Sequence, residues 1–518
     1  MIHMARPCAL FVHLLGNFWL GDSLREHSSF RATNPESESA ILDEVTNNDG
    51  KPNPRISCSA GIEHARQLLA GKMKAMGLMA LGQGNDYLYT VPGTKDDECP
   101  GGITNLIAGL PGSDEQLKEE YILLGAHLDG PYNQGPSAKE GNLETDNSYD
   151  DGGSVAAVLS LAKYFKDNPI KRSLLLILSD GEEGIGNVQT SEEWKRRFCQ
   201  SSGWQGRKGS CHNYPIGFTA WARRPTVQIQ MVKLVMTMDP LGAPGINDHD
   251  FVAVLGTEST EGLQELMEES FTGAPVEPLF VNRQYAATSY SDADAITKDF
   301  KPLCVEFLPE CFNGVPAVWL AQTAFGKYHG GVNANYLLPA MEYGMIPGIK
   351  VPRELASFAL DMRKNFNDQA LLKVTESLTT VLKNLGNQPD LSYLVYNPQV
   401  HKKFTEANAM FKCGAPGNCG FSLQDAINNK KAYDYLAKAL LSAPDIAPEV
   451  AKSVQQFSSQ SSMMLGKIIN AYGCTQPTCK PSEVFPKELE ETKPGLLAVL
   501  TMALDFYAKE PYRQPFGG

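Results

Sequence analysis

Five apolar runs punctuate the chain: ITNLIAGL (103–110), EYILLGAH (120–127), SLLLILSD (173–180), VKLVMTMD (232–239) and VPAVWLAQ (315–322). Each is short and nearly continuous, the pattern of a strand covered on both faces, as in a parallel sheet. Helical periodicity fills the gaps between them. HARQLLAGKMKAMGL starts at His64, and GGSVAAVLSLAKYF (152–165) sets Val155, Val158, Leu159, Ala162 and Phe165 on one face. ALLKVTESLTTVLKNLG (370–386) repeats Leu371, Val374, Leu378, Val381 and Leu385, with Gly386 placed as its C-cap. Strand and helix in alternation predict an α/β fold with a mostly parallel central sheet and helices on both faces.

The flanks differ from this core. Residues 24–55 are polar, rich in Asn, Ser, Glu and Pro, and aperiodic, which predicts a flexible leader. Residues 1–23 carry Arg6, then an apolar segment, then small residues, the form of a signal peptide, although His13 and Asn17 interrupt it. Past Gly386 the strand pattern ends. Tyr433, Leu436, Leu440 and Leu441 form a helical stripe, and residues 387–518 read as an all-helical C-terminal extension whose role the sequence does not reveal. That leaves 56–386 as the sheet-bearing domain.

With 518 residues the chain exceeds one small domain, and its net charge of −13 argues against a nucleic-acid partner, which needs a basic face. No apolar run reaches membrane-spanning length; the longest C-terminal candidate, GLLAVLTMALDFYA, contains Asp505. The cysteines alter the picture more. Setting aside Cys8, eight of the remaining ten are close neighbours: Cys199 with Cys211, Cys304 with Cys311, Cys413 with Cys419, and Cys474 with Cys479. Cys58 and Cys99 are left to each other. Local pairing of this kind predicts disulfides and an oxidising compartment: extracellular, periplasmic or a secretory lumen. A structural zinc site built from Cys413, Cys419, Cys474 and Cys479 is the competing reading, with spacings looser than a zinc knuckle favours.

Candidate chemistry gathers where the apolar runs end. His127 closes the second run and Asp129 follows it, Asp150 and Asp151 open the helix at 152–165, Glu182 and Glu183 follow the third run, Asp239 closes the fourth, and His329 lies after the fifth. In an α/β sheet these strand ends meet in one crevice. Adjacent carboxylates such as Glu182 and Glu183 are costly there unless a cation or a proton is present. Imidazole and carboxylate are zinc ligands, and a pair of ions needs two terminal sets and a bridge. His127 with Asp239 could hold one Zn²⁺, Glu183 with His329 a second, and Asp150 could bridge, leaving Glu182 to act on water. His249, between Asp248 and Asp250, is the rival for the last ligand, whereas His212 reads as a surface residue.

Residues from about 60 to 386 resemble the co-catalytic di-zinc exopeptidase family, which includes secreted leucyl-type aminopeptidases, glutamate carboxypeptidase and glutaminyl cyclase. The resemblance is carried by ITNLIAGLPGS, AHLDG, Asp150-Asp151-Gly152-Gly153, Glu182-Glu183, Asp239, and Gly314-Val315-Pro316 ahead of His329. It implies that Glu182 is the general base, that Glu183 is a ligand, and that Asp129 orients His127. It also implies a cis Asp150–Asp151 bond and a small disulfide loop, Cys304 to Cys311, beside the cleft. The chain departs from the family at Ala293, where a His is usual, in lacking Asp-Thr shortly after His329, and in an insertion of about 30 residues containing Cys199 and Cys211.

By this resemblance the expected function is that of a secreted zinc-dependent aminopeptidase. It would hydrolyse N-terminal residues from peptides through a metal-bound hydroxide, with Glu182 as general base. A glutaminyl-cyclase-like aminoacyltransferase (DPLGAP at Asp239 resembles that branch), a carboxypeptidase, and a non-catalytic binding ectodomain are the alternatives. Acidic groups outnumber arginines near the matched segments, with only Arg223, Arg224 and Arg283 available to clamp a carboxylate, so a substrate ammonium is the terminus expected to be bound. The oligomeric state is not legible.

Overall fold

The computed structural model describes residues 35–130, 146–201, 215–242, 250–257, 260–281, 291–296, 314–322, 363, 366–395 and scattered positions between 428 and 459. In chain order these form α1 (Pro35–Thr46), a hairpin of β1 (Asn47–Asn48) and β2 (Lys51–Pro52), α2 (Ala60–Ala75), β3 (Met79–Ala80), β4 (Leu88–Thr90), β5 (Thr104–Leu110) and β6 (Tyr121–His127). Next come α3 (Gly153–Asp167), β7 (Ser173–Ser179), α4 (Glu192–Ser201), α5 (Ile216–Arg223), β8 (Val232–Met238), β9 (Phe251–Leu255), α6 (Leu263–Ser270), β10 (Glu277–Val281), α7 (Ala293–Ile296), β11 (Ala317–Ala321) and α8 (Asp368–Gly386).

Among the described residues nine strands make one mixed sheet in the order β10-β9-β11-β8-β6-β7-β5-β3, with β4 also paired to β5. Its centre, β11-β8-β6-β7, is parallel, as continuous apolar runs require when both faces are covered. The flanks turn antiparallel, at β9 on one side and at β5 on the other. Strand alternation sorts the two faces. Ile122, Leu124 and Ala126 of β6, with Leu174, Leu176 and Leu178 of β7, face a core shared with α1, α2, α3, α6 and α8. The opposite face meets α5: a Cβ on Gly125 would lie 3.3 Å from the Phe218 ring. The α/β sheet with helices on both faces is therefore as expected, and the five apolar runs are β5, β6, β7, β8 and β11.

Local chemistry fixes the helix ends. Ser59 Oγ accepts the Ile62 N–H to cap α2, and Asn367 Oδ1 accepts the Ala370 N–H to cap α8. Gly386 is not the C-cap expected from the sequence; it is the last helical residue, ahead of Asn387. Its lack of a side chain serves packing instead, since a Cβ there would lie 2.2 Å from Ile170 Cδ1.

The expected flexible leader needs correction. Within residues 24–55, positions 35–46 are helical because Ile41, Leu42 and Val45 share a face and bury against the core, Leu42 and Val45 completely. The polar residues that hide this helix from composition are used too: Glu38 is buried and accepts from Ser160 Oγ at 2.9 Å, and Asn53 donates to the Val45 carbonyl at 3.1 Å. The C-terminal extension also touches the sheet-bearing domain. Tyr435 hydroxyl donates to the Asp250 carbonyl at 2.9 Å, and Asn428 and Gln264 exchange hydrogen bonds at 2.8 and 2.9 Å.

Cys58 and Cys99 are disulfide-bonded, and so is Cys199. Cys211, Cys304, Cys311, Cys413, Cys419, Cys474 and Cys479 lie outside the described residues. Among the described residues no helix is long and apolar enough to cross a membrane.

Leu42 offers the sharpest test of the correction. Leu42→Ala should reduce the unfolding free energy by about 2–5 kcal/mol, as deletion of a fully buried leucine does. A change within about 0.5 kcal/mol in urea denaturation, the range of exposed sites, would mean that α1 is detached in solution.

Candidate metal centre

The three adjacent parallel strands β7, β6 and β8 end side by side, and each delivers a polar group at its C-terminal end. His127 is the last residue of β6, Asp239 follows β8, and Glu182 and Glu183 follow β7 by a Gly181 turn. Asp150 and Asp151 arrive from the segment ahead of α3, and the peptide bond between them is cis, as the resemblance implies.

His127 is 1% exposed and sits at the middle of the cluster. Its Nδ1 lies 2.8 Å from the Asp129 carbonyl oxygen. A carbonyl can only accept, so Nδ1 carries the proton and Nε2 presents a lone pair in the neutral ring. Yet Nε2 faces Asp150 Oδ1 at 2.9 Å and Asp239 Oδ1 at 3.5 Å. Acceptors that close are stable only with positive charge among them, either a second proton on the ring or a bound cation. Ligands about 2 Å from a tetrahedral ion have comparable mutual spacing.

Two sets of ligand atoms are compact enough to hold a metal ion: His127, Asp150 and Asp239, and His127, Glu182 and Glu183, the atoms within each lying within 4.8 Å of one another. Glu182 is 7% exposed, and its Oε1 is buried with no hydrogen-bond partner among the described residues. Donor set and lone acceptors together fit a hard or borderline divalent ion.

The electrostatics follow from crowding. Burial raises the pKa of Glu182, with Asp239, Glu183 and Asp292 adding to the rise against an opposing effect of His127. Burial also raises Glu183, helped by Asp150, and Asp151, while Asp239 shifts upward for the same first reason. His127 behaves in the complementary way: burial lowers its pKa, but Asp151, Asp239 and their neighbours raise it well above the ordinary imidazole value.

Asp129 does more than the sequence implies. Its carboxylate stands 3.7 Å from His127 Nδ1, while its two oxygens accept the backbone N–H groups of Glu182 at 3.0 Å and Glu183 at 3.2 Å. One side chain thus fixes the acidic turn, and its carbonyl fixes the imidazole. One oxygen of Asp151 accepts the His127 N–H at 3.0 Å and stands 4.0 Å from His127 Nε2.

Several supporting residues carry no motif in the sequence. Asp180 is fully buried and accepts from Ser57 Oγ at 2.6 Å, Thr104 N–H at 2.8 Å and Arg66 Nη2 at 2.9 Å, anchoring the end of β7 to α2. Asp292 is 1% exposed, accepts from Ser179 Oγ, and has its pKa pushed up by burial to about 7. The only sequence signal for Asp292 is its place just before Ala293, where the family pattern expects Asp-His. His329, its rival His249, His212 and Arg283 lie outside the described residues. Arg223 and Arg224 are exposed at the far end of α5 from Gly181, which accepts the N–H of Ile216 at the helix start.

Residues 105–330 match the model of peptidase family M28. No curated protein sequence matches the chain. Among solved structures it is similar to a leucine aminopeptidase precursor from Bacteroides thetaiotaomicron, at 15% identity and a TM-score of 0.44, covering 68% of this chain and 98% of that one. A glutaminyl cyclase from Porphyromonas gingivalis gives 14% identity and a TM-score of 0.43, covering 68% of this chain and 98% of that one. A Zn-dependent exopeptidase from Parabacteroides distasonis gives 15% identity and 0.40, covering 68% of this chain and 99% of that one.

The raised pKa values set a pH dependence. Glu182, Glu183, Asp151, Asp239 and Asp292 hold protons more tightly folded than unfolded, and His127 shifts in the same sense. Their protonation therefore stabilises the fold at low pH, and this contribution is lost as pH rises through the folded values, for Asp292 about 7. A bound divalent cation would replace those protons. Chelation should consequently lower the melting temperature more at about pH 8 than at about pH 5.5. An equal or larger loss at the lower pH would refute this electrostatic reading.

Proposed function

From the match of residues 105–330 to the model of peptidase family M28, we propose that the chain is a zinc-dependent aminopeptidase working in an oxidising compartment. One observation carries the proposal: His127, Asp150, Asp239, Glu182 and Glu183 converge at the ends of three neighbouring parallel strands, in sets whose atoms lie within ion-binding distance. The Cys58–Cys99 disulfide supports the compartment.

In this reading His127 and Asp239 would hold one Zn²⁺ and Glu183 and His329 a second, with Asp150 available to both. Bound zinc supplies Lewis-acid polarisation of the scissile carbonyl and acidifies water. Glu182 is not needed as a ligand. Its buried Oε1 takes the proton of the attacking water and returns it to the departing amine. Burial and neighbouring carboxylates raise its pKa, which strengthens it as a base and suits it to both halves of the shuttle. Asp129 keeps the Glu182 backbone fixed while the side chain works.

The acidic surroundings also favour an N-terminal substrate. A free α-ammonium is attracted by half-buried carboxylates such as Asp239 and Glu183. Arg223 and Arg224, the described arginines weighed as a carboxylate clamp, stand seven or more residues along α5 from its contact with Gly181, about 10 Å at helical rise. Cleavage should proceed from the N-terminus, with N-acetylated peptides refused.

Fluorogenic aminoacyl, N-blocked and N-terminal glutaminyl peptides, each with and without chelator, test this directly. Chelator-sensitive release of the aminoacyl group is expected. Cyclisation of glutaminyl peptides without hydrolysis would transfer the assignment to cyclase chemistry, and cleavage of N-blocked peptides from their C-terminus would transfer it to a carboxypeptidase. Glu182→Gln should retain zinc while losing about 10²–10⁴ in kcat, because it removes the base and leaves the ligands. Asp150→Asn should instead lower zinc content. Near-normal turnover by Glu182→Gln would exclude the mechanism.

A further inference from the structure

The segment Pro54–Ser59 carries no catalytic motif, yet it places a fully buried arginine against the metal centre. Arg55 Nε donates to the Leu128 carbonyl at 2.8 Å, Nη1 to the Asp146 carbonyl at 2.8 Å, and Nη2 to the Asn147 carbonyl at 2.7 Å. Its backbone completes the clasp: the Arg55 N–H donates to Asn147 Oδ1 at 3.2 Å, and its carbonyl accepts from the Gly130 N–H at 3.0 Å. Two segments are joined this way. Residues 128–130 directly follow His127, and residues 146–147 lead into Asp150. The guanidinium also packs beside Gly152, where a Cβ would stand 2.8 Å from the Asn147 carbonyl oxygen and 3.3 Å from Nη2.

We propose that Arg55 is a positioning residue for the metal centre, holding the His127 strand end and the Asp150 segment at the separation that one ion between them requires. The inference rests on the reading that this site binds zinc. Burying a guanidinium is costly unless its donors are engaged, so its retention here has to be explained by what it joins. The flat fork reaches three carbonyls in different directions from one anchor. A lysine ammonium at the end of a flexible stem cannot reproduce that arrangement.

A purely structural role would produce general destabilisation, so a matched control is needed. Arg172 provides one. It is also buried, donates from Nε to Glu120 at 2.9 Å and from Nη1 to the Gln388 carbonyl, and precedes β7 at the opposite end of the sheet from the site. Zinc affinity of Arg55→Lys, Arg172→Lys and wild type should be measured by competition with a chromophoric chelator, beside thermal melts. The expected result is about 10–100-fold weaker zinc binding for Arg55→Lys, the effect of disturbing groups that orient ligands, with Arg172→Lys within about threefold of wild type.

Asn147→Gly keeps the experiment decisive if Arg55→Lys does not fold. Asn147 has a φ of 54°, which glycine adopts freely, so the change removes one acceptor of the clasp without backbone strain. It should weaken zinc about threefold or more. Wild-type affinity in Arg55→Lys, wild-type affinity in Asn147→Gly where Arg55→Lys does not fold, or an equal loss in Arg172→Lys overturns the positioning role alone. Failure of wild type to bind zinc overturns the metal reading, and this inference with it.

Discussion

Carboxylates packed together in a protein interior repel one another and lose their water, and this tension organises the C-terminal ends of β7, β6 and β8. Two like charges 4 Å apart interact by roughly 4 kcal/mol at an effective dielectric of 20. Asp150, Asp151, Glu182 and Asp292 are buried around the imidazole of His127, with Asp239 and Glu183 half-buried beside them. Every shift resolved among these carboxylates is upward, so the ionised cluster needs positive charge. In the proposed function a divalent ion would meet that need and give the adjacent pair Glu182 and Glu183 separate tasks.

The surrounding architecture keeps these groups converged in spite of their repulsion. Asp129 binds the backbone of the acidic turn, and Asp180 ties the end of β7 to Ser57, Thr104 and Arg66. Arg55 joins the His127 and Asp150 segments. α1 closes the layer behind them: Leu42 Cδ1 lies 3.0 Å from where a Gly152 Cβ would stand, which puts this helix against the backbone carrying Asp150 and Asp151. Residues far apart in sequence thus share one task, holding like charges together. The Cys58–Cys99 disulfide covalently fixes the segment that contributes both Arg55 and Ser57.

Legibility in the sequence follows the reach of each interaction. β5, β6, β7, β8 and β11 are readable because strands covered on both faces must be continuously apolar, and the candidate ligands are readable because such strands end at the site. β9 and β10 are harder. FVAVL is as short as a buried helical turn, and EPLFV begins with a glutamate and a proline. α1 is masked by polar residues whose partners, such as Ser160 for Glu38, lie more than a hundred positions away. Arg55 cannot be found from spacing at all, since its meaning depends on carbonyls at Leu128, Asp146 and Asn147. The resemblance implies that Asp129 orients His127, and its carbonyl at 2.8 Å and carboxylate at 3.7 Å from Nδ1 agree with that. The hydrogen bonds of the carboxylate to the turn after β7, by contrast, have no sequence signal.

The claim at the centre is that a cation takes the place of protons in this carboxylate cluster. Calorimetric titration of the chelator-stripped protein with zinc, near pH 6 in two buffers of different ionisation enthalpy, counts the protons released on binding. The expected result is net proton release that shrinks as the pH is raised through the folded pKa values. Binding heats that are identical in both buffers would show that the cluster gives up no protons to the metal, and would contradict the electrostatic basis of the site.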